Sequence, residues 1–391
     1  MKIGIEAQRI FRKKKHGMDM VALELIRHLQ LVDKENEYFV FVKPDEDHTV
    51  IQETANFRII EIAGGPYPYW EQVLLPRAAK KYGCELLHCT SNTAPLFSSI
   101  PLVLTLHDII FMESSVWQLL RGAGSRYQKF GNIYRHLIVP RLIRKCKKII
   151  TVSNYEKERI AAFFDIHDEE KLLTVYNGVS DYFQPVTDPA LLQRVKEQYH
   201  LPDRYFFFLG NTHPKKNTIG VLKAYADYCK REGNGVQLVM IDYDQTELAR
   251  LLDSIEAPEL INQIHLTGYV NNKDLPAIYS QCELFLYPSL RESFGIPIIE
   301  AMACGAPVIT SNTSSMPEVA GAAALLIDPF NPASITGAMQ AISSSKTKSQ
   351  QMIEAGLVQA RIFSWSGMAA AVLTQYIKTN KQHHYKLKLS V

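Results

Sequence analysis

The sequence predicts an α/β protein made of two doubly wound, Rossmann-like parallel-sheet domains that face a ligand-holding cleft. Three observations carry this expectation. At 391 residues the chain is too long for one ordinary hydrophobic core. Short apolar runs alternate with longer amphipathic segments almost throughout, as in βα units wound about parallel sheets. The series of strands halts at an Asn177-Gly178 turn and a stretch from Ser180 to Pro189 with two prolines, and then starts again.

In order, the first half is expected to carry strands at 3–5, 38–42, 58–62, 86–88, 102–106 and 148–152. The second carries them at 205–209, 238–241, 264–266, 284–287, 307–310 and 325–327. Helical segments of about 12–18 residues lie between most of them. Domains are placed at 1–180 and 190–365, with a C-terminal helix and basic tail, 366–391, expected to pack back on the first. No repeat at a period of about 20–50 residues suggests a solenoid.

Composition narrows the class. Hydrophobic residues at 47% and charged residues at 21% are ordinary globular values. A net charge of +3 supplies no field that calls for nucleic acid. Six cysteines without a Cys-x-x-Cys pair suit reduced thiols rather than disulfides or a zinc site. The opening Met1-Lys2-Ile3-Gly4-Ile5 reads as a strand and not as a signal peptide. No apolar run reaches the roughly 18–20 residues that span a bilayer. A cytoplasmic protein is expected, with any membrane contact peripheral, at the inner face.

The densest chemistry lies at 288–300, Pro-Ser-Leu-Arg-Glu-Ser-Phe-Gly-Ile-Pro-Ile-Ile-Glu. It follows an apolar strand. Gly295 allows a tight turn, and Pro297 fits the first turn of a helix, where a missing N–H costs little. Backbone N–H groups at that helix start, about Phe294, Gly295 and Ile296 with Ser293 beside them, make a diphosphate site. Glu300, one turn in, is placed to accept hydrogen bonds from ribose hydroxyls, and Glu292 in the loop to meet a sugar. Without this context the two carboxylates would be an ordinary surface pair.

A second segment follows the strand at 205–209: Gly210-Asn211-Thr212-His213-Pro214-Lys215-Lys216-Asn217. A lysine beside a glycine turn at a strand end can neutralise a pyrophosphate leaving group, although two solvated lysines are the plainer reading. His107 and Asp108 end the apolar strand Leu104-Thr105-Leu106, where a lone histidine is more often structural. Asp242-Tyr243-Asp244 spells a metal-binding Asp-x-Asp, but an ordinary turn is favoured there and no metal is expected. From Arg121 to Lys148 there are nine Lys and Arg and no Asp or Glu, either a solvated face or a surface for an anionic bilayer.

Residues 292–300 resemble the Glu-x7-Glu signature of retaining glycosyltransferases of family 4, whose GT-B fold has two Rossmann-like domains. The segments 301–308, Ala-Met-Ala-Cys-Gly-Ala-Pro-Val, and 316–319, Met-Pro-Glu-Val, are similar to the same family. The likeness runs from Leu102 to about Ile377. It implies that Glu292 contacts the donor sugar and Glu300 the nucleotide ribose. The 210–217 segment resembles the family's Gly…Pro-Arg-Lys-Asn loop, which implies that Lys216 grips the phosphates. Lys215 stands where the family has arginine and lacks its bidentate reach. The His107-Asp108 strand end resembles one that faces the donor sugar, which implies a hydrogen-bonding role for His107 and not a nucleophilic one. Gly17, in Lys15-His16-Gly17-Met18, takes the place of a glycine loop near the acceptor and phosphates, where many members have two glycines. Gly268-Tyr269-Val270 matches the segment beside the base, which makes Tyr269 a donor contact.

The resemblance implies metal-independent hexose transfer, with retention, from a nucleotide-sugar on the second domain to a glycan or lipid-linked glycan on the first. The nucleotide-sugar is a co-substrate, and no other cofactor is expected. The opening Gly4-Ile5-Glu6-Ala7-Gln8-Arg9 and the segments around His107 and Thr151–Asn154 look like bacterial transferases that build O-antigen and other surface polysaccharides. Many of those use GDP-mannose, so mannose from GDP-mannose is the expected donor. A sugar-nucleotide epimerase on the same fold and a non-catalytic nucleotide-sugar-binding protein are the rivals. A dinucleotide-dependent dehydrogenase is poorly supported, because the first strand opens no Gly-x-Gly-x-x-Gly loop.

Overall fold

In the computed structural model, which describes residues 1–113, 126–233 and 235–389, the chain forms two compact units. One is Met1–Asn177 joined by the segment from Trp365, and the other is Gly178–Ser364.

The first unit holds a seven-stranded parallel sheet in the order β3-β2-β1-β4-β5-β6-β7. Its strands are β1 (Lys2–Glu6), β2 (Glu37–Val42), β3 (Phe57–Glu61), β4 (Leu86–Cys89), β5 (Leu102–Thr105), β6 (Lys148–Thr151) and β7 (Leu172–Thr174). Strands such as β2 and β4 are buried almost throughout, which is why they read as continuous apolar runs. The edge strand β7 was not expected. Three residues long and only partly buried, it shows neither alternation nor a long apolar run.

Helices α1 (Gly17–Val32), α2 (Tyr67–Tyr69), α3 (Leu75–Lys81), α4 (Arg126–Lys145) and α5 (Asn154–Phe164) connect these strands. A π-helical turn, Trp70–Leu74, joins α2 to α3 and carries the fully buried Glu71. Tyr67 donates to that carboxylate at 2.6 Å, and Thr93 and Tyr134 donate to it as well, tying α4 to this turn.

The C-terminal helix Trp365–Leu389 packs along α1. Its buried Tyr376 hydroxyl lies 2.6 Å from His88 Nδ1, and His88 Nε2 lies 2.8 Å from the Thr105 hydroxyl. Burial pushes the His88 imidazole down to about 3, so it stays neutral.

The second unit holds a six-stranded parallel sheet in the order β10-β9-β8-β11-β12-β13. Its strands are β8 (Tyr205–Phe208), β9 (Gln237–Met240), β10 (Ile264–Leu266), β11 (Leu284–Tyr287), β12 (Val308–Ser311) and β13 (Leu325–Ile327). All six lie where expected, to within a residue at either end. Phe206, Phe208, Leu238, Met240, Leu284, Leu286 and Ile309 from the strands pack on Val221, Leu222 and Tyr225. These three belong to the helix Thr218–Glu232.

The helices of this unit are α6 (Pro189–Gln198), α7 (Thr218–Glu232), α8 (Gln245–Ser254), α9 (Leu275–Gln281), α10 (Ile296–Ala303), α11 (Met316–Ala320), α12 (Pro332–Ser343) and α13 (Lys346–Ala360). The chain order reverses between β8 and β11. That reversal marks the strand ends of β8 and β11 as the place where such sheets bind ligands. In the 242–244 turn Asp242 is left-handed, with φ 49°, and Asp244 caps α8 by accepting from the Glu247 N–H at 2.8 Å. Among the described residues no helix is long and apolar enough to cross a membrane.

The His88 tether makes acid stability testable. Its folded pKa lies below the ordinary 6.5, so the stabilisation is complete above pH 6.5 and drains away as pH falls toward about 3. The thermal midpoint should drop progressively below pH 6.5, and less steeply in His88→Gln. An equal pH slope in the two proteins would contradict a neutral buried His88.

Candidate functional site

The loops leaving β8 and β11 are clipped together. Pro214–Lys216 forms a 3-10 turn that ends at Asn217, left-handed with φ 58°. The Asn217 amide donates to the carbonyl oxygens of Pro288, at 3.2 Å, and Pro329, at 2.7 Å. The Leu290 N–H donates to Lys215 O at 2.7 Å. Gly220 makes room for this side chain, since a Cβ there would lie 2.4 Å from Asn217 Oδ1.

This clip fixes Lys216. Its Nζ donates to Glu292 Oε1 at 2.7 Å and to the Tyr287 hydroxyl at 2.8 Å, and lies 4.5 Å from the Tyr287 ring centre. Lys215 Nζ stands 3.5 Å from Glu292 Oε2. Glu292 is 7% exposed. Burial alone would push its carboxyl up, but Lys216 and then Lys215 hold it below the ordinary carboxylate range. Burial likewise pulls the Lys216 ammonium down, with Glu292 opposing.

Gly295 starts α10 with φ 103°, a conformation that favours glycine. Phe294 is buried, its ring edge-on to Phe363 at 5.5 Å. The loop is held from the side by hydroxyls on the β12–α11 connection. Ser311 donates to Ser289 O at 2.6 Å, Ser314 to Glu292 O at 2.6 Å, and Ser315 to Glu292 O and Phe294 O, each at 2.9 Å. One turn into α10, half-buried Glu300 has the Tyr279 hydroxyl 3.4 Å from Oε2, and burial pushes its carboxyl up to about 7.

The structure thus brings Lys215, Lys216 and Glu292 into contact, with Ser293, Phe294, Gly295, Ile296 and Glu300 following in the same loop and helix. Two further expected donor contacts lie outside this cluster of side chains. Gly210 is required by its own strand, because a Cβ there would lie 2.2 Å from the Phe208 ring. Tyr269 follows β10, three strands from β11, with 72% of its surface exposed. Tyr287, Asn217, Tyr279 and the three serines were missed. The run Ser311-Asn312-Thr313-Ser314-Ser315 was the one visible signal, a hydroxyl-rich stretch at a strand end.

In the first unit His107, 5% exposed, follows β5. Its backbone N–H donates to Asn92 Oδ1 at 2.7 Å, and its ring Nε2 lies 3.0 Å from Thr90 O. A carbonyl only accepts, so Nε2 carries the proton and Nδ1 is left as an acceptor. Burial pushes this imidazole down as well. Thr90 is fixed in turn by Glu6 at the end of β1, donating from its hydroxyl to Glu6 O at 2.8 Å and from its N–H to Glu6 Oε2 at 3.3 Å. Gly17 is the first residue of α1, where the buried Asp19 accepts from the His16 N–H at 3.0 Å. A Cβ on Gly17 would meet nothing within 4 Å.

Two parallel-sheet units, the second with cations and a helix start at its strand ends, define a GT-B-type architecture. Residues 16–181 match the family described as Glycosyltransferase Family 4, and residues 192–358 match Glycosyl transferases group 1. Over 280 residues the chain is 30% identical to O-antigen chain mannosyltransferase RfbU of Salmonella typhimurium, covering 71% of this chain and 69% of that one. Over 231 residues it is 32% identical to O-antigen chain mannosyltransferase B of Escherichia coli, covering 59% of this chain. The match spans 60% of that relative's length, under two thirds. A crystal structure of a glycosyltransferase from Rickettsia africae has the same fold, with TM-score 0.72 at 18% identity over 97% of this chain and 98% of that one. The chain belongs to glycosyltransferase family 4.

Removing one partner of a buried ion pair costs on the order of 3 kcal/mol, and less where a second cation remains, as Lys215 does 3.5 Å from Glu292. Lys216→Met should lower the unfolding free energy by less than that full cost, on the order of 2 kcal/mol, and adding Glu292→Gln should recover most of it. Urea unfolding checks both; a Lys216→Met protein as stable as the wild type would contradict the pair.

Proposed function

We propose that this chain transfers mannose, with retention, from GDP-mannose to a glycan or lipid-linked glycan acceptor in surface polysaccharide synthesis. The observation that carries the reading is the buried Lys216–Glu292 pair at the strand ends where the chain order reverses. The mannosyltransferase relatives favour mannose as the sugar.

In this reading the second unit holds the donor. Lys216, assisted by Lys215, receives the diphosphate together with the first amides of α10, Glu292 orients the sugar, and Glu300 accepts from the ribose hydroxyls. The acceptor oxygen bonds to the anomeric carbon on the face the diphosphate leaves. The breaking C–O bond's electrons go to the diphosphate, whose oxygen takes the acceptor's proton. Positive charge on the leaving group comes from lysine and helix start, so no metal is invoked. The first unit is assigned the acceptor side, with Gly17 near it and His107 offering Nδ1 to a sugar hydroxyl. Peripheral contact with an anionic membrane is assigned to 121–148, where Phe130 and Leu137 are exposed on α4 together with Arg141 and Arg144. Residues 121–125 of that stretch lie outside the described residues.

The test is a thermal-shift panel of GDP-, UDP-, ADP- and dTDP-sugars with and without EDTA, followed by product analysis. GDP-mannose should stabilise the chain selectively and regardless of EDTA, because a ligand of the folded state alone raises its stability. Glu300 must be ionised to accept two hydroxyls, so the shift should grow as pH rises through about 7 and lose that dependence in Glu300→Gln. No shift with any donor, or one abolished by EDTA, would overturn the reading. Epimerised donor in place of a glycosylated acceptor would point to the epimerase.

A further inference from the structure

We propose that Ser315 is a positioning residue that turns the first amides of α10 toward the donor diphosphate. This rests on the reading that the 288–300 segment holds the donor. Ser315 is fully buried and stands at the N-cap of α11. A serine there ordinarily accepts a hydrogen bond from its own helix. Ser315 makes no such capping bond. Its hydroxyl is spent on the neighbouring loop, 2.9 Å from both Glu292 O and Phe294 O.

The consequence follows from peptide geometry. No peptide bond here is cis, and in a trans peptide the C=O and the following N–H point in opposite directions. Drawing Phe294 C=O to Ser315 therefore turns the Gly295 N–H away from α11. The next carbonyl, Gly295 O, accepts from the Ile298 N–H at 3.0 Å along the helix axis. The Ile296 N–H, in the same peptide plane, projects off the helix start. Gly295, at φ 103°, is what allows two successive planes to take these orientations. Ser314 reinforces the arrangement: it is itself left-handed, with φ 59°, and its hydroxyl reaches Glu292 O at 2.6 Å. Two amides are thus set for an anion before any ligand arrives, which is where the binding advantage of a preset site comes from.

The experiment compares wild type with Ser315→Ala and with Ser315→Cys, a near-isosteric and weaker donor that guards against collapse of the alanine variant. The probes are the diphosphate among GDP, UDP, ADP and dTDP that binds the wild type most tightly, and its parent nucleoside, followed by calorimetry and ligand-observed NMR. Both variants should bind the diphosphate about tenfold more weakly, the value of one charge-assisted hydrogen bond, with nucleoside affinity unchanged to within about twofold. Equal weakening of diphosphate and nucleoside would make Ser315 a merely structural serine and overturn the proposal, as would unchanged diphosphate affinity. A wild type that binds none of the four would overturn the donor reading itself, and this inference with it.

Discussion

A single buried ion pair governs the second unit. Lys216 and Glu292 come from loops 76 residues apart in sequence, and each compensates the other's charge in a half-dry position, with Lys215 close to the same carboxylate. Everything near them serves that encounter. The parallel order of β8 and β11 sends both loops off the same sheet edge, Asn217 clips them, and Tyr287 supplies a second acceptor and a ring face to the ammonium. Such a pair adds little net stability, because desolvation cancels most of its attraction. What it does is hold a cation and a carboxylate at fixed places at the strand ends, partly withdrawn from water, where their fields are less screened.

The same logic of fixed polar groups recurs around it. Hydroxyls of Ser311, Ser314 and Ser315 take up the carbonyls of the 289–294 loop, so its backbone is settled before a ligand arrives. In the first unit, Glu6 fixes Thr90 and Thr90 fixes the tautomer of His107. In each case a group at a strand end is oriented by a buried partner, which is how such a position acquires precision without regular structure of its own.

Most of this fold was legible in the sequence because parallel strands buried on both faces announce themselves as apolar runs. The edge strand β7 was not, since a short half-exposed strand has no such signature. The placement of Glu292 in a strand-end loop and Glu300 one turn into the following helix was legible from spacing and strand context, whereas Lys216 was singled out only by the resemblance of its loop to the family's. Tyr287 was hidden inside an apolar run, where a tyrosine reads as core. Ser314 and Ser315 were hidden because a hydroxyl's partner is set by tertiary placement, and a serine ahead of a helix reads as its cap. Gly210 carries a second demand that the sequence does not show: the ring of its neighbour Phe208 leaves no room for a Cβ there.

The central claim is that Glu292 acts on the reacting sugar rather than on the nucleotide. Its most direct test is turnover and nucleoside-diphosphate affinity measured side by side for Glu292→Gln. The account predicts that kcat falls by about 100-fold or more while diphosphate affinity changes by no more than a few-fold, the pattern of an interaction made in the transition state. A variant with near-normal kcat, or one whose lost activity is matched by lost diphosphate binding, would contradict it.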